Sequence, residues 1–587
     1  MKKINKIILM TSAVLLGGTT WAQEFGDFGD FGGFDDAAGN GGSKIEVSGT
    51  VSTDIRAYVD ADDSDELEVE AKPAGKLDLS YSGNNSDFTL SLCMDADKIQ
   101  SNPEDIIDEL VLRGRLGDYL TVEAGKMKVV WGKGDKLHVL DNFNADNYSD
   151  FIIPDYIDRR VSTPMVRGII SLPVANLNVE GVYTPLLPTD RFALDGRWMP
   201  AQVGALKTVA TASATNYVKT LVTDCETYRT GLAAATTLAK SSEEQAKAAT
   251  KAAAEYGAKV TQYTQALAAL QTAQSAGSLT AEQQAQLAQL PVLIVHCSAE
   301  KEAQTKAAAE YAAAAKKAEA QAAEYKSKLT SADTAYTLAL NNAGTLADNI
   351  YPNLWTLKYG QFGGRATWTL GQVDMGISYY NGWYKQPSFN ATKVDGFIKS
   401  YLTNGKVKES EKFLAYDKKQ TFGVEASSIL WHFNVRGEFA YNLTDDTDGT
   451  DPWVHNNSLG WLGGFDIDLP FWNANLNVQE TGIFILNGDE CDKNKADVDY
   501  GVNGYTNNKL AANLTASFMN DKIAPEVTVM YGFENKDLVV MPKLSYKADQ
   551  NLTLSASGMI INCGDDNSEF KAWEKNSFVS LGACYQF

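Results

Sequence analysis

After its first two dozen residues, this sequence has no apolar run long enough to be a membrane-spanning helix, which would need roughly 17 or more residues, so a helical-bundle membrane protein is excluded. Its six cysteines, Cys93, Cys225, Cys297, Cys491, Cys563 and Cys584, are scattered and form no C-x-x-C pair. That excludes both a disulfide framework and a zinc site, and no metal or cofactor is expected. Histidine is scarce as well: His138, His296, His432 and His455 are the only four. A Ser-His mechanism needs a histidine beside its nucleophile, and none of them adjoins a recognisable nucleophile motif, so the chain is not read as an enzyme. Basic residues are outnumbered 52 to 74, for a net charge of -22, which argues against a nucleic-acid partner.

What is present begins with a basic segment, MKKINK, then the apolar stretch IILMTSAVLLGG and the small-residue site TWA before Gln23. That three-part layout predicts a secretory signal peptide over residues 1–22. A Phe-Gly-Asp repeat follows, FGDFGDFGGFDDAAGNGG, too rich in glycine and acid to pack; residues 23–43 read as a flexible linker.

From Lys44 the pattern turns to strict alternation. Ile45, Val47, Val51, Ile55 and Ala57 share one face, and Glu46, Ser48, Thr50, Ser52, Asp54 and Arg56 the other. Period two over this length is a strand. KLDLSYSG, DFTLSLCMD, FNVRGEFAY and LTLSAS repeat it. A soluble sandwich would also alternate, so the connections decide. Tight turns (GNNS, LGDY, PVAN, LGQV, Trp431, PFWNAN, ADQN) take turns with long polar segments, at 61–74, 133–164, 385–412, 444–457 and 487–507. Short turns at one end and long loops at the other predict an all-β transmembrane barrel of about 18 antiparallel strands, with both chain ends on the short-turn side. Tryptophans near the turns (Trp368, Trp431, Trp472) and near the loop ends (Trp131, Trp383) are read as interfacial girdles.

The chain stops at SLGACYQF, where Leu581, Ala583, Tyr585 and Phe587 alternate up to a terminal ring. This resembles the closing-strand signal that the assembly machinery of outer-membrane barrels reads. In a barrel such a strand must face lipid while pairing with the first strand, so that no edge is left open.

One segment breaks the alternation. From Gly204 to Gly344 the chain is rich in Ala, Glu, Gln and Lys, a helical composition. Ala246, Ala249, Ala253, Tyr256, Val260, Tyr263, Leu267 and Leu270 advance by threes and fours, as do Tyr311, Ala315, Ala318, Ala322, Tyr325, Leu329, Ala332, Tyr336 and Ala339. That spacing predicts an antiparallel coiled-coil hairpin turning at SAGSLTAEQQ, with arms of about 65 residues reaching roughly 100 Å. Cys225 near its base and Cys297 near its tip should not bond. The apolar run Leu290 to Val295 near the tip is read as folding back on the hairpin, or else as a contact site. The domains are thus 1–22, 23–43, a barrel part at 44–203, the insertion in an outside loop at 204–348, and a barrel part at 349–587.

VVWGKGDKLHVLDNFNADNY, Val129 to Tyr148, and VYTPLLPTDRFALDGRW, Val182 to Trp198, resemble segments of bacterial outer-membrane porins similar to alginate-export barrels. The resemblance implies passage of solute through the barrel. By alternation, Glu109, Arg113, Arg115, Glu123 and Arg167 point inward, and Lys126 and Lys128 follow Gly125, where a bulge would swap faces. The loop after Trp131 carries Asp155, Asp158, Arg159 and Arg160 and is long enough to enter the lumen. Converging cations among carboxylates would orient a small polar or anionic solute; as ordinary lumen ion pairs they would do no more than keep a wide barrel polar. The expected partners are outer-membrane lipid, the barrel-assembly machinery and that solute. The alternative is a surface adhesin, in which the barrel anchors the coiled coil for a surface partner.

Overall fold

The computed structural model describes residues 44–59, 68–100, 102–487, 490, 506–564, 568 and 570–587; the expected signal peptide and linker, Cys491 and most of the 487–507 loop lie outside them. The chain forms two compact units. One takes in the chain up to Thr208, Ile350–Lys393 and Lys412–Phe587, and the other Val209–Asn349 and Val394–Glu411.

The first unit is a closed 18-stranded antiparallel sheet. Its strands are β1 Lys44–Tyr58, β2 Val69–Ser82, β3 Ser86–Asp95, β4 Ile107–Leu116, β5 Leu120–Met127 and β6 Thr163–Leu172. Then come β7 Leu177–Thr184, β8 Gln361–Leu370, β9 Val373–Trp383, β10 Lys418–Leu430, β11 Phe433–Leu443 and β12 Ser458–Leu469. The last six are β13 Ala474–Ile485, β14 Thr506–Thr515, β15 Ile523–Gly532, β16 Leu538–Lys547, β17 Leu552–Asn562 and β18 Phe578–Gln586. Each strand pairs with the next, and β18 returns to β1 with Leu581 opposite Ile55 and Tyr585 opposite Val51. Gly49 and Phe587 exchange two backbone hydrogen bonds of 3.0 Å, so the terminal residue completes the ladder. Short turns and long connections alternate except at β15–β16, where residues 533–537 make a connection shorter than the β14–β15 turn at 516–522, and both ends of the sheet's chain lie at the short-turn end.

The two faces differ in character. Ile45, Val47, Ile55, Leu112, Val166 and Phe422 are exposed on the outside, whereas Arg56, Glu123, Glu180, Glu425 and Glu438 are buried on the inside. Alternation accounts for this, because a period of two sends successive side chains to opposite faces. Trp431 and Trp472 stand exposed at short turns. Trp131 and Trp383 do not join them: both are buried, Trp131 completely and Trp383 against Leu187, Tyr359 and Tyr416. The loop-end half of the expected girdle is therefore internal packing.

The second unit is helical. Helix α1, Ala201–Ser275, and helix α2, Ala281–Ala343, pack side by side. Most of their buried positions are multiples of seven apart, Leu221, Ala235, Ser242 and Ala249 on α1 and Leu290, Cys297, Ala318, Ala332 and Ala339 on α2, with Cys225 and Ala315 buried between them. Small residues at those positions let the helices approach, and at Gly231 an added Cβ would come within 2.7 Å of the Tyr325 ring. The turn uses Gly277 at φ +71. A capping box then starts α2, with Thr280 accepting from the Gln283 N–H while the Gln283 side chain accepts from Thr280. Cys225 and Cys297 are free thiols. Leu290 is buried, but Val292, Leu293 and Val295 are exposed, so most of that apolar run does not fold back.

Residues 385–412, read as a polar loop, hold a third helix, α3, Val394–Asn404. Its buried Val394, Phe397, Ile398, Tyr401 and Leu402 make one stripe. It belongs to the helical unit: Asn342 of α2 donates to the Leu402 carbonyl at 2.9 Å, and Tyr217 of α1 meets Thr403 at 2.8 Å.

Candidate functional site

The connection from β5 to β6, residues 128–162, folds inside the barrel. Its first turn is set by glycine: Gly132 has φ +106, and a Cβ at Gly134 would meet the Leu137 carbonyl at 1.9 Å. Such a turn points successive N–H groups the same way. Glu438 of β11 collects them. Its Oε1 accepts from Lys133 at 2.5 Å and Gly134 at 2.7 Å, and its Oε2 from Val139 at 3.0 Å and Leu140 at 3.2 Å. Gln479 of β13 accepts from Lys136 at 3.0 Å and Leu137 at 3.2 Å. Four strands round the wall from β11, Trp131 donates its indole N–H to Glu180 of β7 at 2.7 Å.

Apolar side chains of the loop fill sockets in the wall. An added Cβ at Gly363 would strike Trp131 and Phe143, one at Gly423 would strike Leu140, and one at Gly460 would strike Val139. Inward glycine in a strand marks the close approach of another segment, and here the segment is this loop. Its far half reaches β1 and β2, where Asp150 meets Arg56 at 2.6 Å and Lys72 at 3.4 Å. Phe151 packs with Tyr58, Trp198 and Phe570.

The loop's own charges are largely spent on holding it. Arg160 is buried between Asp141 at 2.7 Å and Asp146 at 3.5 Å, so it is not an open lumen cation. Arg159 donates to the Pro154 carbonyl at 3.2 Å and lies 5.5 Å over the Tyr148 ring. Asp155 and Asp158 are exposed, and Lys136 bridges Asp155 at 3.4 Å and Glu526 at 3.9 Å. Burial pushes the Asp141 carboxyl up to about 6, against the pull of Arg160. Burial and then Asp146 likewise push Asp190 up to about 6. His138, stacked on Tyr156 at 3.8 Å, is drawn down to about 4 by burial and by Arg160.

Along the wall an acid–base ladder crosses β3 to β7. Asp87 pairs with Arg115 and, at 3.7 Å, with Arg113. Arg113 reaches Glu123 at 2.7 Å, and Arg167 joins Glu123 at 3.2 Å to Glu180 at 2.9 Å. Arg365 continues the pairing to Glu425. Arg113 and Arg115 stay exposed, at 45% and 41% of their side chains, where Glu123 is 5% exposed. Glu109 accepts from the Lys128 N–H at 3.1 Å.

Lys126 and Lys128 stand elsewhere. The β4–β5 register runs unshifted past Gly125, which puts Lys126 opposite Leu110 on the outward face. The Lys126 amine is clamped by the Glu104 carbonyl of the β3–β4 connection and the Ile107 carbonyl at the start of β4, both 2.8 Å away. Lys128 pairs with Asp108 at 3.0 Å. No face exchange occurs at the glycine.

Glu438, Gln479, Arg365 and Glu425 were not among the residues the sequence singled out. Alternation put Glu438 on the inner face, but not its partners some 300 positions away. The inward glycines were the available signal.

No protein-family model and no curated protein sequence matches the chain. Among solved structures it is similar to a BenF-like porin from Pseudomonas fluorescens Pf-5, at 9% identity and TM-score 0.38, over 93% of this chain and 98% of that one. Pseudomonas aeruginosa OpdQ matches at 7% identity and TM-score 0.37, over 93% and 98%. Salmonella typhi OmpF matches at 6% and 0.34, over 94% and 99%. At these scores the barrel rests on its own strand pairing.

Proposed function

We propose that this protein is an outer-membrane channel passing small polar or anionic solutes, with the folded loop as its constriction. The observation that carries the reading is the clamp of Glu438 and Gln479 on loop N–H groups. A barrel that served only as an anchor would not need a loop drawn across its lumen. An apolar outer face with a polar inner one supports membrane insertion, and the N-terminal pattern of residues 1–22 supports export. In this reading Arg113, Arg115 and Arg167 present positive charge to solute along the wall, and Asp155 and Asp158 give the loop's exposed edge its counter-charge. Leu581, Ala583, Tyr585 and Phe587 form the strand that the assembly machinery reads.

The test is ion selectivity in a planar bilayer. Arg113→Gln with Arg115→Gln should shift reversal potentials toward cations at low salt. The shift should shrink at 1 M salt, where the Debye length is about 3 Å. Unchanged selectivity at low salt would remove these arginines from the mechanism.

A second reading has its own support. Val292 and Val295 are each 69% exposed on α2, apolar side chains on a polar arm. In that reading the helices, as a coiled coil, meet a surface partner, and the barrel anchors them.

A further inference from the structure

Two amines inside the barrel differ from the cations around them. Arg56, Arg160, Arg167 and Arg365 each have a carboxylate within ion-pair distance. Lys385, just past β9, and Lys419, at the start of β10, have none among the described residues within 4.0 Å. Their partners are neutral. Lys385 Nζ donates to Gln361 Oε1 at 2.6 Å and lies 3.3 Å from the Tyr380 hydroxyl. Lys419 Nζ donates to Asn142 Oδ1, on the folded loop, at 2.8 Å and sits 5.2 Å over the Tyr384 ring.

An ammonium has three N–H donors, so these partners leave both amines with donors to spare. Burial draws the Lys385 amine well below its ordinary range, with Asp190 opposing, and the Asp190 oxygens already accept from the Asp146 N–H at 2.9 Å and from Gln386 at 3.1 Å. The Arg160 charge also reaches Lys385. Both residues are half-buried. Charge-assisted hydrogen bonds to an oxyanion are stronger than those to neutral acceptors, more so where water is scarce.

We propose that Lys385 and Lys419 form an oxyanion docking point beside the constriction, which takes the carboxylate or phosphate group of a small solute. The proposal rests on the channel reading for how the solute arrives, but binding itself is measured without any current.

The experiment uses the full chain in detergent, at pH 6, titrated with carbon-13 acetate in one arm and inorganic phosphate in the other. Carbon-13 and phosphorus-31 line widths report the bound fraction. Saturable broadening is expected in at least one arm, and which arm saturates tells carboxylate from phosphate. Lys385→Gln with Lys419→Gln should weaken that binding at least tenfold. Lys385→Arg with Lys419→Arg should keep it, and Lys543→Gln, on the inner face of β16, should leave it unchanged. If the double glutamine variant loses its heat-dependent gel shift, each single glutamine variant should still weaken binding several-fold. No saturable broadening by either probe, or undiminished binding in correctly folded glutamine variants, overturns the docking point. A protein that binds acetate or phosphate but carries no current would instead overturn the channel reading.

Discussion

Glu438 and Gly132 stand so close that a Cβ on the glycine would lie 2.4 Å from the carboxylate oxygen Oε1. The loop can therefore cross the lumen only with no side chain at position 132, and only with an acceptor at position 438. Glu438→Ala strands four backbone N–H groups, each costing about 1–3 kcal/mol if left buried and unpaired. The loop is then expected to detach while the barrel stays closed. Limited proteolysis should cut between Gly132 and Asp141 at least tenfold faster, and the heat-dependent gel shift should persist. Gly132→Val should do the same, since it adds a β-branched side chain at φ +106.

Docking of the loop should be pH-dependent. Asp141 and Asp190, held near 6 from an ordinary value of 3.8, bind protons more tightly in the docked state, so they favour docking as pH falls through 6. His138, held near 4 from an ordinary 6.5, works the other way, because the released loop binds its proton first. Two carboxyls against one imidazole leave a net gain of docking on going from pH 7 toward 5. Hydrogen-exchange protection of the Val139 and Leu140 amides, corrected for intrinsic rates, should be higher at pH 5 than at pH 7. His138→Phe should steepen the trend. Lower protection at pH 5 would show that the histidine dominates.

Closure of the barrel is expected to need Phe587. Phe587 exchanges backbone bonds with Gly49, and its ring fills the space where a side chain at position 49 would be, 2.6 Å from an added Cβ. Deleting Phe587, or making Gly49→Leu, should leave unassembled protein without the heat-dependent gel shift. Normal assembly of both variants would mean that the terminal pairing is dispensable.

Much of the barrel was legible in local pattern. Alternation gave the faces, the lengths of the connections gave two ends, and SAGSLTAEQQ gave the turn between α1 and α2. The misses share a cause. Trp131 and Trp383 lie near strand ends, as girdle residues do, but a loop and its neighbours cover them, and period two does not register what packs on an inner face. Arg160 carries the charge of a solute contact, yet Asp141 and Asp146 of its own loop consume it. The five apolar residues of α3 are spread through a polar segment, too short a stripe to stand out without α2 beside it. Lys126 needed only the strand register, which a glycine at an unusual φ did not disturb.

The helical unit should be separable only if it is removed whole. Deleting 209–349 alone would uncover the buried Phe397, Ile398 and Leu402 of α3 and is expected to lower the yield of folded protein. Deleting 209–349 together with 394–411, with short linkers, should restore it, with the gel shift intact. Equal yields from the two deletions would mean that α3 does not need the hairpin. Within the unit, Gly231→Leu against Tyr325 should cost about 1–3 kcal/mol through overpacking, read as a lower midpoint of helix melting.

The most direct measurement is single-channel recording of the purified full chain in a planar bilayer, beside Glu438→Ala. A conducting pore should appear with the native protein, and its conductance should rise in the variant as the loop leaves the lumen. A bilayer that stays electrically silent with both proteins, each shown to be folded by its gel shift, would contradict the channel and leave the barrel as an anchor for the helices.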